Sequence, residues 1–209
     1  MPQIQTLQLD GPVGALDTLY LPTCHHPARG IALVAHPNPT QGGSNTNKVV
    51  HTLAKVFSRL GYEVYCPNLR GVGKSEGQHD HGRGEVEDMA AVLAHARQVH
   101  GNLPLVLSGF SFGTFVQSQL AQRLHTTELE RLVLIGPACG KFPLPSVPAN
   151  TLVIHGEEDE VIPLGNVLDW ARPQTLPIQV FPGVGHFFHG KLVLLADQIT
   201  SQWQPISQP

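Results

Sequence analysis

The stretch that decides the fold reads LVLSGFSFG and occupies residues 105–113. Its first part, residues 105–107, is a short apolar run typical of a buried strand. We predict a helix over residues 112–124, directly after it. Between the two, residues 109–113 match G-x-S-x-G, a pattern in which a sharp strand-to-helix turn lifts a serine above a sheet.

The spacing of this turn has a physical reason. Gly109 and Gly113 have no Cβ to clash across the turn, so Ser111 can adopt a strained backbone. The amide of Phe112, at a helix N-terminus, would then point toward a developing oxyanion. The alternative is a glycine-rich turn with an incidental serine. Because the turn lies between a predicted strand and a predicted helix, we favour Ser111 as a nucleophile.

The rest of the chain alternates short apolar runs with longer amphipathic stretches. The predicted strands cover residues 4–9, 16–21, 31–35, 62–66, 105–107, 132–135, 151–155 and 178–181. The predicted helices cover residues 48–60, 85–100, 112–124, 164–171 and 190–203. Such alternation indicates an α/β fold with a mostly parallel central sheet and helices on both faces. Ligands bind such sheets at the carboxyl ends of the strands.

Length and composition narrow the class of protein. The chain has 209 residues and a formal net charge of −3, so we expect one domain over 1–209 and no nucleic-acid or anionic-membrane partner. No apolar run approaches the roughly 20 residues of a membrane span, and no signal-peptide pattern opens the chain. The three cysteines suggest no disulfide framework. A cytoplasmic location is the default expectation.

An acid and a histidine should follow a nucleophilic serine along the chain in that order. The strand over 151–155 runs into four acids at positions 157–160, which remain alternatives at this point. The strand over 178–181 runs into a glycine-flanked loop carrying His186, which suits a proton carrier. His189 competes with His186.

The loop after the strand over 31–35 should supply a second oxyanion donor. It begins with His36 and contains Pro37 and Pro39, which have no N–H to donate. Asn38 is the first available amide and Thr40 the next. We predict an oxyanion hole formed by the backbone amides of Asn38 and Phe112.

Four motifs together resemble one family. They are HPNP at 36–39, NLRGVGKSEG at 68–77, HGEEDEVIP at 155–163 and GHFF at 185–188. The chain resembles the small, single-domain bacterial α/β-hydrolases related to dienelactone hydrolase and the catalytic domain of prolyl oligopeptidase.

This resemblance implies an α/β-hydrolase fold and a serine carboxylesterase or related acyl hydrolase with no metal or organic cofactor. It also implies Asp159, three residues after Gly156, as the acid of a triad with Ser111 and His186. Glu157, Glu158 and Glu160 are then expected to face solvent. Two departures exist. The usual His-Gly is His-Pro at 36–37, and dienelactone hydrolase uses cysteine where this chain has serine, so its substrate does not transfer.

The remaining features receive simpler interpretations. His79, Asp80 and His81 lack further ligands at metal-binding spacing, so we expect no metal there. Arg70 is expected to brace a loop near the site. Residues 136–150 are too few for a helical cap, which predicts no cap domain and an open site. Aromatic residues after the strands either line the pocket or belong to the core: Phe112, Phe142, Phe187 and Phe188.

The predicted function is hydrolysis of small or short-chain carboxylic esters through an acyl-enzyme on Ser111, with a small-molecule ester as partner. A thioesterase, peptidase or lactonase of the same fold remains an alternative, because pocket shape sets the scissile bond. A non-catalytic binding protein that retains the fold is the other.

Overall fold

The computed structural model describes residues 3–203, so residues 1–2 and 204–209 of the predicted domain lie outside it. The strands are β1 (Gln5–Gly11), β2 (Gly14–Leu21), β3 (Gly30–Ala35), β4 (Tyr62–Pro67), β5 (Leu105–Phe110), β6 (Leu129–Ile135), β7 (Leu152–Gly156) and β8 (Gln179–Phe181). The helices are α1 (Lys48–Arg59), α2 (Arg83–His100), α3 (Phe112–Ala121), α4 (Leu164–Ala171) and α5 (Leu192–Thr200). Short 3-10 turns cover Pro39–Gln41 and Arg172–Gln174.

The eight strands form one sheet in the order β1-β2-β4-β3-β5-β6-β7-β8. The first two strands pair antiparallel with their neighbours, and every pair from β4 to β8 is parallel. The mostly parallel sheet predicted from the alternation is confirmed. The carboxyl ends of β3, β5, β6, β7 and β8 therefore meet at one edge.

The sheet is buried on both faces. Along β3, Ala32 and Val34 join the apolar cluster that contains residues of α1 and α5, whereas Ile31, Leu33 and Ala35 join the cluster with α2 and α3. All six residues of β3 are buried. The continuous apolar run in the sequence thus reflects a strand covered on both sides.

Several predicted boundaries were wrong. Strand β5 continues to Phe110 rather than ending at 107, because Ser108 and Gly109 pair with neighbouring strands on both sides. Helix α3 ends at Ala121 rather than 124. Helix α5 begins at Leu192, after Gly190 at a φ of 69°, and ends at Thr200 rather than 203.

Residues 136–151, which connect β6 to β7, contain no helix. This agrees with the prediction that the fold has no cap domain. Over residues 3–203, no helix has both the length and the apolarity needed to cross a membrane.

Candidate active site

Ser111 occupies a strained turn between β5 and α3. Its φ of 53° and ψ of −119° are unusual for a residue with a side chain. Its amide donates to the carbonyl of Ile135 at 2.9 Å, which fixes the turn against β6. A Cβ on Gly109 would lie 2.3 Å from the carbonyl oxygen of Gly113, so the sequence can make this turn only with glycine there.

Ser111, His186 and Asp159 form a continuous chain of hydrogen bonds at the carboxyl edge of the sheet. The Oγ of Ser111 lies 3.0 Å from Nε2 of His186, and Nδ1 of His186 lies 2.7 Å from Oδ2 of Asp159. All three residues are at most 8% exposed. The structure thus brings together the three side chains singled out from the sequence. His189, the competing histidine, is exposed and stacks on Phe187.

The environment of Asp159 favours its charged form. Burial opposes ionisation, but hydrogen bonds from His186 and from the amide of Ile162 outweigh it, so the pKa of Asp159 lies below its ordinary value. The second carboxylate oxygen, Oδ1, accepts from the amides of Val161 and Ile162 at 2.9 and 2.7 Å. One oxygen is therefore held by the backbone while the other is left for His186.

His155 is a neighbour of this site that the sequence analysis gave no role. It is fully buried, its Nε2–H donates to the carbonyl of Ile162 at 2.9 Å, and the same nitrogen lies 3.6 Å from Oδ2 of Asp159. Burial lowers the pKa of His155, so the ring is neutral beside Asp159. The only sequence signal for it is its place directly before Gly156.

The acids around Asp159 are exposed as expected, but two of them also bind backbone. Oε2 of Glu157 accepts from the amide of Gly183 at 2.9 Å, and Oε2 of Glu160 accepts from the amide of His186 at 3.4 Å. These contacts tie the loop after β7 to the loop after β8. The expectation that both side chains simply face solvent was therefore incomplete.

Asn38 and Phe112 both lie beside Ser111. In the part of the chain that the structure describes, no protein group accepts a hydrogen bond from either backbone amide. Asn38 is the N-cap of the Pro39–Gln41 turn, where its Oδ1 accepts from the amide of Thr40 at 3.0 Å. Thr40, the other candidate donor, therefore already has its amide paired. Two amides are thus available next to the serine.

His36 holds the loop that carries Asn38. It is fully buried, its Nδ1–H donates to the carbonyl of Pro37 at 2.7 Å, and its Nε2 accepts from the amide of Leu69 at 3.0 Å. Burial lowers the pKa of His36 to about 4. The neutral imidazole, protonated on Nδ1, therefore links the loop after β3 to the loop after β4 through two hydrogen bonds.

Two pockets adjoin Ser111, and their linings also share Asn38, Gln41 and Val161. The larger, of about 400 Å³, includes His186 and is lined by Pro37, Asn38, Gln41, Gly42, Gly43, Asn47, Ser111, Val161, His186 and Phe187. The smaller, of about 40 Å³, excludes His186 and is lined by Asn38, Gln41, Ser111, Phe112, Ala138, Lys141, Phe142, Val161 and Ile162. Gln41, Asn47 and Lys141 are lining residues that the sequence analysis did not identify.

The four aromatic residues considered from the sequence divide between the two possibilities. Phe112 and Phe142 line the smaller pocket and Phe187 lines the larger one. Phe188 is fully buried and packs on Phe181, so for this residue the core alternative applies.

Two other sequence features lie outside the pockets. Arg70 forms a bidentate pair with buried Asp88 of α2, with Nη2–Oδ1 and Nε–Oδ2 distances of 2.7 and 3.0 Å, and so braces the loop after β4. His79 lies 2.7 Å from a carboxylate oxygen of Glu85. Within residues 3–203, no group of three or more potential ligand residues is arranged to hold a metal ion.

Comparison with known proteins then places this chain in a family. A family model described as Hydrolase_4, serine aminopeptidase S33, matches residues 27–148, more than half of the chain. The chain belongs to this serine hydrolase family. It has the α/β-hydrolase fold and, as the resemblance implied, is similar to small bacterial members. An α/β serine hydrolase without a lid, from Xanthomonas campestris, is 36% identical with a TM-score of 0.89, covering 99% of this chain and 97% of that one.

Two curated relatives of this hydrolase extend the comparison. An uncharacterized protein from Rickettsia prowazekii is 31% identical over 91% of this chain and 84% of that protein. A monoacylglycerol lipase from Mycolicibacterium smegmatis is 31% identical over a match spanning 53% of this chain and 38% of the lipase. The hydrolase thus spans little more than a third of the lipase.

Proposed function

We propose that the chain is a serine esterase that hydrolyses small or short-chain carboxylic esters through an acyl-enzyme on Ser111. The observation that carries this proposal is the hydrogen-bonded chain from Ser111 through His186 to Asp159, at 3.0 and 2.7 Å. In this arrangement a serine hydroxyl has a base to take its proton, and the base has an acid that fixes its tautomer.

The proposed reaction has two steps. Oγ of Ser111 attacks the ester carbonyl while Nε2 of His186 takes its proton, and the amides of Asn38 and Phe112 bind the oxyanion. His186 then protonates the leaving oxygen, the ester C–O bond breaks and the acyl group remains on Ser111. Water attacks this acyl-enzyme along the reverse proton path, which releases the acid and restores the serine.

The proton path assigns a role to each pocket. The leaving group must receive its proton from His186, so it belongs in the larger pocket, which His186 lines. The acyl group then extends into the smaller pocket, which includes Asn38, Ser111 and Phe112 but not His186. That pocket measures about 40 Å³, against about 400 Å³ for the larger one. An acyl chain that fits within this small volume is a short one.

The walls of the smaller pocket support the same assignment. The ring of Phe142 lies 5.0 Å from that of Phe112 and 5.1 Å from that of Phe115. The amide of Phe142 donates to the carbonyl of Ala138 at 3.0 Å, which holds its segment in place. Because these three rings pack against one another, we do not expect the smaller pocket to accommodate a longer acyl chain.

A peptidase is the second candidate, because the matching family model is described as a serine aminopeptidase. An aminopeptidase has to bind the α-ammonium group of a peptide, for which a carboxylate is the natural partner. In an aminopeptidase substrate this ammonium lies on the residue whose acyl group is transferred to Ser111, so it would occupy the smaller pocket. The described residues that line the smaller pocket include no aspartate or glutamate, and they include Lys141. This lining favours an acyl group without an ammonium.

The test is labelling with a fluorophosphonate probe, followed by intact-mass analysis and identification of the labelled peptide. We expect one adduct on Ser111, lost in both Ser111→Ala and His186→Ala. Ser108→Ala is a matched control, because its hydroxyl is buried in β5 without a hydrogen-bond partner and should not affect labelling. Failure of the folded wild-type protein to react would contradict an activated serine.

A further inference from the structure

Resting on the proposed esterase function, we infer that the leaving alcohol is a neutral, hydroxyl-rich molecule of about the size of a monosaccharide. The larger pocket presents unpaired amide N–H donors and one exposed aromatic ring to that alcohol. This inference concerns the alcohol portion of the ester, which the acyl pocket does not select.

The donors come from three carboxamide side chains. Asn38 and Asn47 both use Oδ1 to accept backbone amides, from Thr40 and from Val49 at 3.0 and 2.8 Å. Because their oxygens are committed in this way, it is their NH₂ groups that remain available. Across residues 3–203, neither NH₂ group has a protein acceptor, and the exposed side chain of Gln41 makes no hydrogen bond.

These donors suit hydroxyl and ether oxygens rather than ions. Apart from His186, no titratable or permanently charged side chain lines the larger pocket in the described part of the chain. An anionic leaving group would therefore lack a cation, and a cationic one would lack a carboxylate. Each well-formed hydrogen bond to a neutral hydroxyl contributes about 0.5–1.5 kcal/mol, which is about 2- to 13-fold in affinity.

Phe187 supplies an apolar wall next to the same donors. It is 40% exposed, and its ring centroid lies 5.1 Å from that of His186 at an interplanar angle of 85°. A leaving oxygen at His186 therefore carries its attached carbons alongside this ring. A saturated ring of the alcohol can pack its C–H bonds on Phe187 while the hydroxyls around its edge bind the carboxamide donors. The pocket volume of about 400 Å³ admits such a ring.

The experiment compares two acetate esters with the full-length enzyme, 6-O-acetyl-D-glucose and cyclohexylmethyl acetate. Both are acetates of a primary alcohol on a six-membered ring, and they differ chiefly in the hydroxyl groups and ring oxygen. We expect kcat/KM for the sugar ester to be higher by about 10-fold or more. Gln41→Met, which keeps the length of the side chain but removes its donors, should reduce this ratio by about threefold.

Gln98→Met is the matched control, since Gln98 is an exposed residue of α2 outside both pockets. It should leave the ratio unchanged. Equal rates on the two acetates, or faster hydrolysis of the cyclohexyl ester, would overturn the inference and leave the esterase function standing. The inference also fails if neither acetate is hydrolysed although Ser111 reacts with the fluorophosphonate, and the esterase function then stands only if p-nitrophenyl acetate is hydrolysed. If neither acetate is hydrolysed and Ser111 is unreactive, the esterase function fails as well.

Discussion

The carbonyl oxygen of Val184 lies so close to Gly156 that a Cβ added to that glycine would come within 2.2 Å of it. Gly156 ends β7 and precedes the loop of Asp159, while Val184 belongs to the loop that carries His186. The amide of Glu158 also donates to the carbonyl of Val184 at 3.0 Å. The distance between the acid and the histidine is therefore set by backbone packing between two loops.

Gly156→Ala should separate these loops and misalign His186 with Ser111. A displacement of about 1 Å in a catalytic group can cost about 100-fold in rate, so we expect a loss of this order in kcat for a short-chain ester. Gly165→Ala is the control, because a Cβ on Gly165 meets no atom within 4 Å. Wild-type kcat in Gly156→Ala would contradict the packing argument.

Ser111→Ala should lower kcat by about 10⁶-fold if the three residues act as one catalytic unit. His186→Ala should produce a similar loss, and the double variant should lose no more than either single variant, because each removes the same proton path. Steady-state kinetics on p-nitrophenyl acetate give all three values. Losses that multiply in the double variant would mean that the two side chains act independently.

Phe142→Ala should shift the acyl-chain preference toward longer chains. The wild-type enzyme should hydrolyse p-nitrophenyl acetate or butyrate faster than the octanoate, because the pocket of about 40 Å³ beside Phe142 admits few atoms. Removing the ring should raise the octanoate-to-acetate ratio of kcat/KM by about 10-fold, a gain of roughly 1.4 kcal/mol.

Phe187→Ala makes the same chemical change in the larger pocket and serves as the control for Phe142→Ala. It should leave the ratio of octanoate to acetate near the wild-type value. A wild-type enzyme that already prefers the octanoate would contradict the short-chain assignment.

His36 should make stability depend on pH below neutrality. Burial lowers the pKa of His36 from 6.5 to about 4, so the unfolded chain binds this proton more readily than the folded one. The resulting stabilisation is complete above pH 6.5 and is lost as the pH falls toward 4. The two pKa values imply a contribution of about 3 kcal/mol.

The comparison is urea unfolding of the wild type and His36→Gln between pH 7 and pH 4. The variant should be less stable at pH 7, and the gap in unfolding free energy should narrow by about 3 kcal/mol at pH 4. A gap that stays constant over this range would show that protonation of His36 is not coupled to folding.

Much of the fold and of the candidate site follows from local sequence patterns. Strand-to-helix alternation predicts the mostly parallel sheet. The unbroken apolar run of β3 predicts a strand that is buried on both faces. Ser111, Asp159 and His186 each follow a strand of this sheet, so the topology brings them to one edge. Their catalytic roles remain predictions.

The parts that the sequence analysis missed depend on contacts between distant segments. Ser108 and Gly109 suggest a turn locally, yet strands on both sides pair with them and extend β5. Asn47 precedes a helix and is readable as a cap, but its place in the larger pocket depends on how the loops after β3 and β8 meet. Local sequence patterns give no information about this contact between the two loops.

The two pockets draw much of their lining from separate stretches of chain. Residues 42–47 contribute only to the larger pocket, proposed for the alcohol, whereas residues 138–142 contribute only to the smaller pocket, proposed for the acyl group. A substitution in either stretch is therefore expected to change one half of the substrate while the other half is still recognised. Acyl and alcohol selectivity can then drift separately among relatives, and a laboratory library could recombine them as independent modules.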